Sequence, residues 1–412
     1  AAEAALFQAL RQRDEVLVGQ VAQIGRHRFR FHQATTRSAR RSSALLRAAL
    51  SLPGFGPSLR PLVVQPTLRV ALFGSLSIAS ALLLTWLCPL WMLAVSPLLL
   101  GVPHLLADVR YLIVQPGYHR RLRLAIPVGT VLLGAALGLG MRAGLAAVAV
   151  TLLCAASTRP RSGWRRLLGL VVVAALVAVG LCTDWYWLDL AMAHVHNAVA
   201  VVFLWLLVWL RWHGSSGPSH GPTPTLRWGT RSPSQRLLVA LSLALPVVLF
   251  VAGSALLLSG VLQARPAALL AFEDQTWLDL DGARWILAPY LPLPWGTRVV
   301  LMFAFAQAVH YGVWLRLLPD VARPRPTPRT FAASLRALSS DLGPTLCALA
   351  AVLFGVLLLS ALFDLAAARD RYFRLAMFHG HLELCALALW WVEGLPPIVA
   401  GAPAPVSAPP TA

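Results

Sequence analysis

Long stretches of apolar residues with almost no charge constrain this chain more than any other feature. Runs such as Val171–Gly180 and Val199–Leu210 lie in segments that approach the roughly 20 residues a helix needs to cross a bilayer. Charged residues make up 12% of the chain, about half the share expected of a soluble domain. The fold class expected is therefore all-α, a polytopic transmembrane helix bundle.

Ten spans are predicted, near 68–87, 90–114, 122–141, 143–157, 165–183, 186–210, 237–262, 297–318, 342–363 and 373–395. The loop charges orient them. Arg120, Arg121 and Arg123, then Arg159, Arg161, Arg165 and Arg166, fall on one side. So do Arg211, Arg227, Arg231 and Arg236, and then Arg316, Arg323, Arg325, Arg329 and Arg336. Asp184, Glu273, Asp274, Asp279, Asp281 and Asp364 fall on the other. Basic loops stay in the cytoplasm, so both termini are expected there. The net charge of +19 reflects these short loops, not a nucleic-acid surface. A basic set made only of Arg fits a GC-rich bacterial genome, hence a bacterial inner membrane.

Three regions flank or cover the spans. Residues 1–67 carry Leu6, Leu10, Leu17, Val21 and Ile24 at helical spacing, followed by a basic stretch from Arg26 to Arg41. They predict a cytoplasmic amphipathic region that contacts membrane lipid or a protein partner. Residues 264–296 read as an amphipathic cover on the outer side, and 397–412 as a Pro/Ala tail. The five cysteines are scattered and contain no C-x-x-C pair, which argues against disulfide or zinc frameworks. No nucleophile motif or phosphate-binding glycine loop is present.

Histidines inside the apolar segments carry the chemistry. His104, His194, His310 and His379 lie on four spans that run in the same direction, and His194/His196 and His379/His381 form H-x-H pairs. Ionisable groups are costly in lipid and are usually kept there for function. Asp108 lies one turn after His104, and Glu383 one turn after His379. A carboxylate so placed can ligate a metal beside the imidazole or fix the orientation of the ring. Asp108 also has a plainer reading, an interfacial ion pair with Arg110. Gln307 and Asn197 give His310 and His194 polar companions. Residues two apart diverge by about 200° on a helix, so one member of each H-x-H pair is expected to be the ligand. Depth counted from the basic loops separates His104 and His310 from His194 and His379 by about 16 Å, which leaves one site or two open.

The stretch from Gly101 to Asp108, GVPHLLAD, resembles the first signature of the Brp/Blh family of membrane carotene-cleaving dioxygenases. The resemblance implies one iron held by histidines on several helices. Carried onto this chain, the set is His104 with Asp108, then His194 or His196, His310, and His379 or His381. Trp314 stands where the family carries a second histidine, and Phe378 where it carries a proline. The implied activity is an iron-dependent oxygenase acting on a carotenoid or other apolar, lipid-like molecule. The two histidine layers point alternatively to a bis-histidine haem carrier. Buried ionisable chains also suit a proton or metal transporter.

Overall fold

The computed structural model describes residues 66–158, 162–213, 233–263, 279–322 and 331–394. The described residues are almost entirely helical and contain no strand. In chain order the helices are α1 (Pro66–Leu87), α2 (Pro89–Asp108), α3 (Leu122–Gly134), α4 (Gly140–Thr158), α5 (Gly163–Cys182) and α6 (Trp185–His213). Then follow α7 (Pro233–Leu258), α8 (Leu280–Leu287), α9 (Trp295–Gly312), α10 (Phe331–Leu342), α11 (Pro344–Phe363) and α12 (Leu365–Glu393). Eight helical stretches among the described residues are long and apolar enough to cross a membrane. Helix satisfies every backbone polar group within the segment, which lipid requires.

Local sequence sets the breaks. Pro89 and Pro344 start α2 and α11, where a missing N–H costs nothing. The Asp364 carboxylate caps α12 by accepting from the Ala367 N–H at 2.9 Å. Gly138 and Gly140 adopt positive φ of 106° and 69° and turn the chain between α3 and α4, which pack on each other. Thus the expected spans at 122–141 and 143–157 form one continuous helical stretch broken at this point.

Two expectations about helix ends need correction. The last helix starts at Leu365, not near residue 373, because Asp364 caps it. Arg369 bonds the neighbouring Asp370 carboxylate at 2.8 Å and 3.0 Å, so the charges in its first turns do not delay the start. Part of the expected basic loop between 318 and 342 is helical as well: α10 holds Arg336. Residues 1–65, 264–278 and 395–412 lie outside the described residues, and with them nearly all of the expected N-terminal region and tail. Within the expected outer cover, α8 buries Ala283 and exposes Trp285 and Ile286.

Helices α2, α9 and α12 form the centre and are buried over most of their apolar length, while α5 and α11 are hardly buried at all. Lipid tails remove the hydrophobic drive for helix association, so close packing and polar contacts must hold the bundle. Small residues permit that packing: Gly101 meets Tyr372, Gly144 meets His381, and Gly380 meets Met192 and His196. Ion pairs tie one end together. Arg69 pairs with Asp320 at 2.8 Å, Arg110 with Asp341 at 2.8 Å, and Arg121 makes a two-pronged contact with Glu393 at 2.6 Å and 2.7 Å. The first joins the first turn of α1 to the helical continuation of α9, the second joins the turn after α2 to the end of α10, and the third joins the start of α3 to the end of α12.

Candidate metal centre

α2, α6, α9 and α12 bring one imidazole each to a common point. His104 lies fifteen residues beyond Pro89, His310 fifteen beyond Trp295, His379 fourteen beyond Leu365, and His196 eleven beyond Trp185. Counted from these ends, the four sit within about 6 Å of one level. The expected separation into two layers does not survive. It came from counting depth back from the far ends of the helices, which run past the group by unequal lengths.

His104, His310 and His379 are buried, and each offers a donor atom, all within 4.8 Å of one another. Their ring centroids stand 5.3 Å (His104–His310), 4.7 Å (His104–His379) and 5.7 Å (His310–His379) apart. His196 closes the group, with centroids 5.3 Å from His310 and 5.1 Å from His379. Two imidazoles on one ion, with bonds near 2 Å, place their centroids about 4.5 Å apart at a right angle and about 5 Å apart at a tetrahedral angle. The observed separations lie in and just above this range.

Contacts at Nδ1 orient three of the four rings, whereas His310 has no hydrogen-bond partner at either nitrogen. His196 Nδ1 bonds the Met192 carbonyl at 2.8 Å, and His379 Nδ1 bonds the Ala376 carbonyl. The Tyr372 hydroxyl lies 3.5 Å from His104 Nδ1. Such contacts fix the tautomer and turn Nε2 inward. The Nε2 atoms of His104, His310 and His379 have no hydrogen-bond partner, although all three are shielded from solvent.

Two carboxylates complete the set, and they reach different histidines. Asp108 Oδ2 is 3.9 Å from His104 Nε2, whereas Glu383 Oε1 is 3.6 Å from His310 Nε2, on another helix. Trp314 Nε1 donates to Glu383 Oε1 at 2.8 Å. Both Asp108 oxygens and Glu383 Oε2 lack partners. Arg110, the plainer partner considered for Asp108, instead pairs with Asp341. Buried polar atoms without partners are expensive. Donors held about 2 Å from a shared cation stand about 3–4 Å apart; the two carboxylate–imidazole gaps of 3.9 Å and 3.6 Å match this, and the three histidine donors lie within 4.8 Å of one another. The three histidines could therefore hold a metal ion, with Asp108 and Glu383 beside two of them.

The other histidines expected as ligand candidates face elsewhere. His194 packs edge-on to Phe303 of α9, with centroids 5.9 Å apart, and is not among the three converging histidines. His381 points at α4, where Nε2 meets Met141 Sδ at 3.0 Å and Nδ1 meets the Met377 carbonyl at 3.1 Å. The 200° divergence thus selects His196 and His379, one from each H-x-H pair. Gln307 donates to the Tyr311 hydroxyl at 3.0 Å, and Asn197 to the Ala193 carbonyl at 2.8 Å, so neither serves its expected histidine. Sequence reasoning missed Tyr311, Trp314 and Tyr372. Tyr311 and Trp314 flank His310 on α9, and Tyr372 lies two turns before His379, so spacing from the histidines was the available signal.

Helices α2 and α9 both pass into a π-helical turn just past their ligands, at Val109–Val114 and Val313–Leu317. Such turns are frequent at functional sites, and the second one carries Trp314.

Electrostatics outside the spans is simple. The Glu393 carboxylate, by its hydrogen bonds, holds the Arg121 guanidinium above its usual pKa. Burial pushes the Tyr118 phenol up to about 12. Compared with known protein families, curated proteins and solved structures, the chain matches none.

Proposed function

We propose that this chain is a multi-pass oxygenase of the bacterial inner membrane that binds one iron through His104, His310 and His379, with His196 as a fourth donor. The observation that carries this reading is the convergence of three buried imidazoles whose Nε2 atoms lack hydrogen-bond partners, two of them beside the Asp108 and Glu383 carboxylates. In the proposed topology the chain spans the membrane ten times. The helical stretch from Leu122 to Ser157 counts as two spans, α7 is a further one, and the arginine-rich end lies in the cytoplasm with both termini.

When bound, the iron supplies the centre at which dioxygen reacts with a carbon–carbon double bond, whose cleavage gives two carbonyl products. The protein's part is positioning. Carbonyl contacts at Nδ1 hold His196 and His379 as ring-oriented donors, and Tyr372 does the same for His104. Trp314 holds one Glu383 oxygen, leaving the other for the centre. Asp108 and Glu383 balance the charge of a divalent ion inside a low-dielectric bundle. The apolar surroundings suit a carotenoid or similar lipid-like substrate taken from the bilayer, in line with the resemblance carried by the stretch from Gly101 to Asp108.

The haem alternative fits less well. Axial imidazoles on opposite faces of one iron would hold their centroids about 6.3 Å apart, with a porphyrin filling the plane between them and leaving no room for further rings. Here four rings crowd together, with five centroid separations of 4.7–5.7 Å. A proton or metal transporter would share the buried donors but would not need the Nδ1 contacts that orient His104, His196 and His379.

The test is expression of the full chain in carotene-producing cells, with iron measured in the purified protein. Carbonyl cleavage products and about one iron per chain are expected, and both should vanish in His104→Ala and His379→Ala. Active protein without iron, or product formation untouched by these variants, overturns the reading. A Soret band would favour haem.

A further inference from the structure

We infer that a second site, at the arginine-rich end of α3 and α4, binds the headgroup of an anionic phospholipid. A cavity of about 600 Å³ opens there, and Arg120, Arg121, Arg123, Leu122, Leu153 and Ser157 line it. The start of α3 and the end of α4 lie side by side at this point, since Cys154 Sγ meets the Arg123 carbonyl at 3.8 Å.

Three observations choose the ligand. First, the cavity is charged for an anion. Three guanidiniums line it: Arg121 is held by the Glu393 carboxylate, while Arg120 and Arg123 are exposed. Two formal positive charges are left over.

Second, the cavity stands at headgroup depth. The neighbouring ends of α5 and α12 place Trp164 and Trp391 edge to face with centroids 5.8 Å apart, and the Arg165 guanidinium lies over both rings. Arg165 also donates to the Trp391 carbonyl at 2.9 Å. Partly exposed Trp beside Arg is the pattern of a membrane–water interface.

Third, an apolar track leaves the cavity toward the membrane interior. Leu122, Ile126 and Leu133 are more than half exposed at helical spacing along α3, and Gly129 between them leaves open space beside the helix. A phosphodiester in the cavity with acyl chains along this track uses both halves of the surface. Basic pockets between transmembrane helices recognise anionic headgroups in this way. A free phosphate would use only the polar half. Occupancy bears on the metal centre, because Arg121 anchors the end of α12, the helix that carries His379 and Glu383.

Native mass spectrometry of the purified full chain in detergent tests the site, with titrations of phosphatidylglycerol, phosphatidylcholine and inorganic phosphate. Wild type should bind phosphatidylglycerol at least tenfold more tightly than phosphatidylcholine. Arg120→Gln/Arg123→Gln, which leaves the Arg121–Glu393 pair in place, should lose about fivefold of that preference for each arginine. Arg142→Gln, at the other end of α4, should keep it. Equal binding of the two lipids by wild type overturns the proposal, as does a preference retained by the double variant. Displacement of phosphatidylglycerol by millimolar inorganic phosphate would make the cavity a phosphate site instead.

Discussion

Gly101→Ala should damage the metal centre although the substitution lies outside it. In a helix interior the exchange normally stabilises by about 0.5–1 kcal/mol, because Ala loses less backbone freedom on folding. Here the new methyl group would fall on Cζ and Cε2 of the Tyr372 ring. Ordinary carbon contacts need about 3.5–4 Å, so α2 and α12 would have to part by roughly 1 Å or more. Tyr372 cannot swing aside: it is 1% exposed and packed with Leu98, Val102, Ala368 and Ala376. Overpacking of this kind costs about 1–3 kcal/mol, which outweighs the helical gain. His104 lies one turn past Gly101, and His379 two turns past Tyr372, so the same separation pulls two donors apart. A loss of about 10–100-fold in metal affinity is expected. Equilibrium metal binding and thermal unfolding of the purified variant would read both effects. Tyr372→Leu in the same chain removes the clash and should recover most of the affinity, less the contribution of the hydroxyl near His104. Wild-type metal affinity in Gly101→Ala, or no recovery in the double variant, would refute the reasoning.

Three further outcomes are expected. His196→Ala should weaken metal binding measurably, while His194→Ala should leave it unchanged; competitive chelator titration separates the two. Asp108→Asn should raise the melting temperature of the metal-free protein by removing an unpaired buried carboxyl, and should lower metal affinity, so melting curves with and without metal should shift in opposite senses. Tyr118 is held protonated by burial, with its pKa pushed up to about 12 from 10.0. The raised value means that its contribution to stability is complete below pH 10 and is lost as pH rises toward 12. Alkaline melting curves should show this loss in wild type and not in Tyr118→Phe.

Apolar run length and the missing charges made the helical, membrane-length segments legible directly, because a chain in lipid has few other ways to satisfy its backbone. Proline and glycine marked several helix ends for the same local reason. Helical spacing also narrowed each H-x-H pair to one inward member, since neighbours two apart cannot face one centre. Which member that was, His196 over His194 and His379 over His381, depended on how α6 and α12 are rotated against α2 and α9, and rotation is fixed by packing of residues such as Gly101 against Tyr372 and Gly380 against Met192. Depth counted from the far helix ends misplaced His379, because α2, α6, α9 and α12 run past the group by unequal lengths and only the packed bundle sets that overrun. The pairing of Glu383 with His310 and Trp314 joins two helices some seventy residues apart in the chain. Local spacing assigns a carboxylate to its own helix, and only the assembled bundle decides which imidazole it meets.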